Sequence, residues 1–171
     1  WGYDRPRPEL QATEAGTDYA PERHLGERWW YVDTSQGPIP LLFTENETNA
    51  ERLFGLPNTT AYVKDGINEA VVEGRSDRVN PDQKGTKVAA HFQATIPPGE
   101  AVTMRVRFSD VEHDQPFTQF ESVFEERIAE ADAFYAAIQP PDLDEDEQRI
   151  WRQSLAGLLW TKQFYHYSVE L

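Results

Sequence analysis

The residues best suited to chemistry sit in two short segments. In FTENETN, Glu45 and Glu47 flank Asn46, with Asn49 close behind. Oxygen ligands at that density suit a calcium ion, or a pair of carboxylates working as acid and base. A carboxylate pair does that work only when its surroundings push the two pKa values apart, and a spacing of two residues says nothing about surroundings. Helix capping and turn hydrogen bonds use the same residue types and are the simpler reading. In KQFYHY, Lys162, Gln163, Tyr165, His166 and Tyr167 crowd polar and aromatic groups together. Sugar pockets use that mixture for ring stacking and hydroxyl contacts, and a helix end with packed aromatics would show it too.

Other chemistries lack their sequence signals. There is no Gly-rich phosphate loop, no GxSxG elbow, no HExxH and no cysteine cluster. His24, His91, His113 and His166 show no metal-ligand spacing, so no metal is expected. Asn46 to Thr48 and Asn58 to Thr60 match the glycosylation acceptor pattern, which matters only in a secreted protein. A net charge of −14 over 171 residues repels nucleic acid and anionic membranes alike. The acidic excess reads as a device for solubility, or for adaptation to salt. The absence of Cys fits a reducing cytoplasm and rules out disulfide frameworks. No apolar run approaches the roughly 20 residues that cross a bilayer.

These segments need elements to position them. Short extended stretches are expected at Leu10 to Thr13, Trp29 to Thr34 and Leu41 to Thr44, with a turn cluster from Gln36 to Pro40. NETNAERLFG predicts one or two helical turns capped by Thr48 or Asn49 and ended by Gly55. A second short helix is expected from Asp65 to Glu73, stopped by Gly74. The clearest period-two pattern places Val88, Ala90, Phe92, Ala94 and Ile96 on one face, then Val102, Met104, Val106 and Phe108 on one face, around a turn at Pro97 to Glu100. An antiparallel hairpin with one wet face is the natural reading.

Long helices follow. Phe117, Phe120, Phe124, Ile128, Ala131, Phe134 and Ile138 recur at helical spacing, and Pro140 and Pro141 end the run. Asp144 and Glu147 have the spacing of a capping box, and Ile150, Trp151, Leu155, Leu158, Leu159 and Tyr165 line the face of a further helix. No Gly, Asn or Pro closes that pattern before Leu171, and the chain opens on Trp1 with no Met, so an internal fragment of a longer protein is expected. Strands first and long helices last predict an all-β module, a linker helix and the front of an α domain.

The segments LLFTENETNAERLFGLPN, YVKDGINEAVVEG, KGTKVAAHF and LAGLLWTKQFYHY, in that order, resemble the bacterial branch of family 63 glycoside hydrolases, relatives of processing α-glucosidase I. The resemblance covers most of the chain. It implies an α+β fragment: an antiparallel β-sandwich portion (residues 1–112) followed by two long α-helices. These are a linker helix (113–141) and the first helix of an (α/α)6 catalytic barrel (142–171). It further implies inverting hydrolysis of α-glucosidic bonds in oligosaccharides, by a carboxylic acid and a carboxylate about 6.5–9.5 Å apart. Both acids would lie past Leu171, so no catalytic residue is expected here. Gln163, Tyr165, His166 and Tyr167 would line the sugar pocket.

The expected function is therefore a non-catalytic, scaffolding piece of a cytoplasmic glycosidase. Its partners would be the remainder of the parent chain and an oligosaccharide, and general acid and base catalysis implies no cofactor. One alternative is a stand-alone carbohydrate-binding β module in which Trp29, Trp30 and Tyr31 form a stacking platform. A protein-interaction module using exposed helix stripes is another.

Overall fold

A computed structural model describes residues 7, 9–13, 17–19 and 26–162. Contacts divide the chain into two compact units, Trp1–Thr118 and Gln119–Leu171. In the first, seven short strands are described: β1 (Leu10–Ala12), β2 (Thr17–Tyr19), β3 (Trp29–Val32), β4 (Leu41–Thr44), β5 (Lys84–Gly85), β6 (Lys87–Ala90) and β7 (Val106–Ser109). Five of them form an antiparallel sheet in the order β5-β1-β2-β3-β7, and β4 pairs with β6 in a separate ribbon. Helices α1 (Ala50–Phe54) and α2 (Gly66–Glu73) lie between β4 and β5. The second unit contains α3 (Phe120–Ile138) and α4 (Glu145–Thr161). No helix among the described residues is long and apolar enough to cross a membrane.

Local chemistry accounts for the helix ends. The Asn49 side chain accepts a hydrogen bond from the Arg52 N–H and caps α1. Gly55 and Gly74 end α1 and α2 at φ 67° and 70°, the left-handed conformation that a side chain disfavours. At α4, Asp144 accepts from the amides of Asp146 and Glu147 while the Glu147 carboxylate accepts from the Asp144 N–H, a complete capping box. Pro140 forces the preceding Gln139 into an extended conformation, and α3 stops there.

The expected hairpin does not form. The turn is present, with Glu100 N–H donating to the Pro97 carbonyl and Gly99 at φ 79°, but its two arms pair elsewhere. Lys87–Ala90 pairs with β4, Val106–Ser109 pairs with β3, and residues 91–105 carry no strand. The face is reversed as well. Arg105, Arg107 and Ser109 are half-buried, while Val106 and Phe108 are 47% and 65% exposed. The reason is local: residues 110–118 fold over the polar face. Arg107 donates to the Pro116 carbonyl at 2.9 Å, and the Ser109 hydroxyl meets the His113 ring at 3.0 Å.

The expected fold class, an antiparallel β-sandwich portion followed by two long α-helices, is corrected on these grounds. A sandwich needs two sheets with extensive apolar inner faces. Among the described residues the strands are two to four residues long, one grouping has only two strands, and there are four α-helices. Among the described residues the buried apolar core is correspondingly small: Tyr31, Val32, Phe43 and Val63.

That core centres on β4. Phe43 and Thr44 are fully buried. Neighbours outside the strand ladder also read the β4 backbone: the Phe43 carbonyl accepts from the Asn80 N–H, and the Thr44 carbonyl from the Thr86 N–H. Two glycines permit the close approach. A Cβ on Gly85 would lie 2.4 Å from the Thr44 carbonyl oxygen, and one on Gly66 would lie 2.2 Å from that of Arg78.

The helical unit is put together differently. Tyr135 of α3 meets the Trp151 ring of α4 edge-on at 6.5 Å, and the Arg152 guanidinium lies 4.8 Å over the same Tyr135 ring. Arg152 also bonds Asp132 at 2.6 Å. Neither helix buries a residue fully, and Trp160 is 90% exposed.

Candidate functional site

The carboxylates of FTENETN are engaged in holding backbone together. Glu45 accepts from the Thr86 hydroxyl at 2.7 Å, and that hydroxyl oxygen accepts from the Asn46 N–H at 2.7 Å, fixing the exit of β4 to the strand 40 residues later. Glu47 pairs with Arg7 at 2.9 Å, while its carbonyl accepts from the Lys64 N–H. Two acids two apart in sequence thus take different partners, although simple alternation along an extended segment would put them on one face. The capping reading accounts for Asn49, whereas Glu45 makes a long-range bond to Thr86 rather than a turn. Among the described residues no group of three or more His, Asp or Glu side chains is placed to hold a metal ion.

A connected polar cluster grows from the same segment. Asp65, at the start of α2, accepts from Asn49 Nδ2 at 3.1 Å and from Arg52 Nη1 at 3.3 Å. Asn58 donates to Asn49 Oδ1 at 3.1 Å and accepts from the Glu51 N–H at 3.2 Å. Lys64 reaches the Thr48 hydroxyl at 3.1 Å. One Asn side chain therefore caps α1, accepts from Asn58 and ties α1 to α2. The cluster ties this loop-rich region together through Asp65 Oδ2, while Asp65 Oδ1 is buried without a hydrogen-bond partner.

The other sequence-predicted residues fall in three groups. Gln163, Tyr165, His166 and Tyr167 lie outside the described residues, as do His24 and most of the opening segment. Lys162 follows α4 in an extended conformation, its N–H donating to the Leu159 carbonyl. The aromatic platform is corrected at Tyr31, which is 3% exposed and lies on β3, between β2 and β7. Its hydroxyl accepts from the His113 N–H at 2.6 Å, and the two rings meet at 6.0 Å. Trp29 and Trp30 are half-buried beside it.

Sequence reasoning missed a cleft of about 310 Å³ at the end of the first unit where the β3–β4 and β6–β7 connections meet, lined by residues 33, 35–39, 92–94 and 102–105. Its shape follows from turns. Asp33 Oδ1 accepts from the Ser35 N–H at 2.9 Å, and the Gly37 N–H donates to the Thr34 carbonyl at 3.0 Å, so the chain doubles back between β3 and β4. The Asp33 N–H donates to the Arg105 carbonyl and the His91 N–H to the Pro40 carbonyl, which anchors the second loop to the first. The Asp33 carboxylate stands 3.8 Å from the Arg105 guanidinium. Hydrogen bonds from Ser35, and then the Arg105 charge, hold its pKa below the ordinary aspartate value, with partial burial opposing them. The spacing Asp-x-Ser ahead of Gly37 and Pro38 was the available signal for the turn; nothing in the sequence announced that residues 92–94 and 102–105 would face it.

No family model matches this sequence, and no solved structure matches it. It is similar to the uncharacterized protein YMR196W of Saccharomyces cerevisiae, with 41% identity over 143 residues. The match takes in 76% of this chain and 13% of the yeast protein, so the chain spans a small part of that relative's length.

Proposed function

We propose that this chain is a non-catalytic scaffolding segment of a larger glycoside hydrolase that opens α-glucosidic bonds in oligosaccharides with inversion. The observation that carries the reading is what its candidate carboxylates do. Glu45, Glu47 and Asp65 sit within the segments that carry the family 63 resemblance, and each is engaged by a hydroxyl, an amide or a cation belonging to the fold. A general acid or base must be free to exchange its proton with substrate or water, and these three carboxylates are already engaged in holding the fold together. In this reading the acid and base belong to other parts of the parent protein. The match of this chain to 13% of a much longer relative leaves ample room for them. A parent without cysteine in this segment fits a reducing compartment, and we place it in the cytoplasm.

The test is hydrolysis of a panel of α-linked glucosides by the full-length parent and by this chain, with the anomer of the released sugar followed by NMR. Release of β-glucose by the parent, with none from the chain, is the expected result. An inactive parent across the panel, or release of α-glucose, overturns the reading. Hydrolysis by the chain alone would return Glu45, Glu47 and Asp65 to candidacy.

A further inference from the structure

We infer that the cleft between the 33–39 turn and residues 92–105 is a binding subsite for a neutral, hydroxyl-rich small molecule, most simply one sugar ring. Its volume of about 310 Å³ lies at the low end of small-molecule sites, enough for one ring rather than a long chain. The lining decides the chemical class by elimination. An anion would need an unopposed cation, and the cleft's Arg105 faces the Asp33 carboxylate at 3.8 Å, within a chain of net charge −14. A cation would need an unopposed carboxylate, and the same pair denies it one. A purely apolar ligand would strip water from the amides of Gln36 and Gln93 and the hydroxyls of Ser35 and Thr103 without replacing their hydrogen bonds.

A neutral polyol meets all of these conditions. Its hydroxyls both donate and accept, matching amide and hydroxyl side chains that do the same. Phe92, Val102 and Met104 supply an apolar side for the C–H face of a sugar ring. The site is built on the ladder ends rather than on a loose loop: backbone hydrogen bonds at Asp33 and His91 fix both connections to their strands. The choice of glucose as probe rests on the proposed function above, whereas the class, a neutral polyol, rests on the cleft.

The experiment is a titration of the 171-residue chain, followed by saturation-transfer NMR, with methyl α-glucoside, glucose 6-phosphate and cyclohexanol as neutral, anionic and apolar probes. Saturable binding of the glucoside is expected, with a Kd of roughly 1–10 mM, as suits a ligand of this size with few contacts. The other two probes should bind at least about fivefold more weakly. Gln93→Leu and Thr103→Val, both at exposed positions that leave the core intact, should each weaken glucoside binding by about fivefold or more at an unchanged melting temperature. No saturable binding, binding indifferent to both substitutions, or a preference for the phosphate or for cyclohexanol overturns the inference. Binding here beside a parent inactive on every glucoside would sink the proposed function and leave the subsite standing. An active parent whose segment binds no sugar does the reverse.

Discussion

The surroundings of β4 and the α3–α4 pair achieve order by opposite means. Around β4, backbone approaches backbone: Gly66 and Gly85 sit where a single added carbon would collide with a carbonyl oxygen, and Phe43 and Thr44 are sealed from solvent. In the helical pair, long side chains hold the elements together through an aromatic contact, a cation–π contact and an exposed ion pair, and neither helix buries a residue fully. The first arrangement is intolerant of added volume. The second depends mainly on propensity, capping and whatever covers its apolar stripes. Exposed ion pairs contribute at most about 1 kcal/mol, so Arg152 and Asp132 do not change that balance.

The largest expected effect is Gly66→Ala. Its methyl group would lie on the Arg78 carbonyl, so backbone must shift, and a loss of about 3 kcal/mol is expected in urea unfolding, with Gly85→Ala close behind. A loss under about 1 kcal/mol for both would erase the contrast. Next comes Asp144→Ala, which removes two capping bonds from α4 and should cost about 1 kcal/mol. Faster amide exchange at Asp146 and Glu147 is the readout, and protection left unchanged would mean that packing, not capping, starts this helix. The smallest effect is in acid at the cleft. Because the folded pKa of Asp33 is lowered, its contribution to stability is complete above the ordinary aspartate value and fades as pH falls through the folded one. The stability difference between wild type and Asp33→Asn should therefore shrink over that interval, and a difference that stays flat with pH would remove Asp33 as a source of order in the turn.

What the sequence disclosed was local. Asn49, Gly55, Gly74 and the Asp144–Glu147 box act within one or two turns of their own position, and each appears where its type and spacing indicated. Strand β4 was legible for the same reason. Pairing was not. Period two tells which residues share a face but not which strand lies alongside, so it suggests a hairpin around Pro97–Glu100 although the flanking strands pair with β4 and β3. Nor does alternation say which face is covered. At β7 the covering segment, residues 110–118, follows directly in sequence, and Arg107 and His113 found partners that no pattern had marked. The cleft inherits this illegibility, being formed by two connections more than 50 residues apart.

The pairing of β3 with β7 also sets a clock. Trp29–Val32 meets Val106–Ser109, and the Tyr31 hydroxyl meets the amide of His113, 82 residues downstream. On a ribosome adding roughly 5–20 residues each second, β3 emerges and waits on the order of 4–16 seconds before its partner has even been made. During that interval Trp29, Trp30 and Tyr31 form an aromatic strand with one vacant edge, a natural target for a chaperone during synthesis.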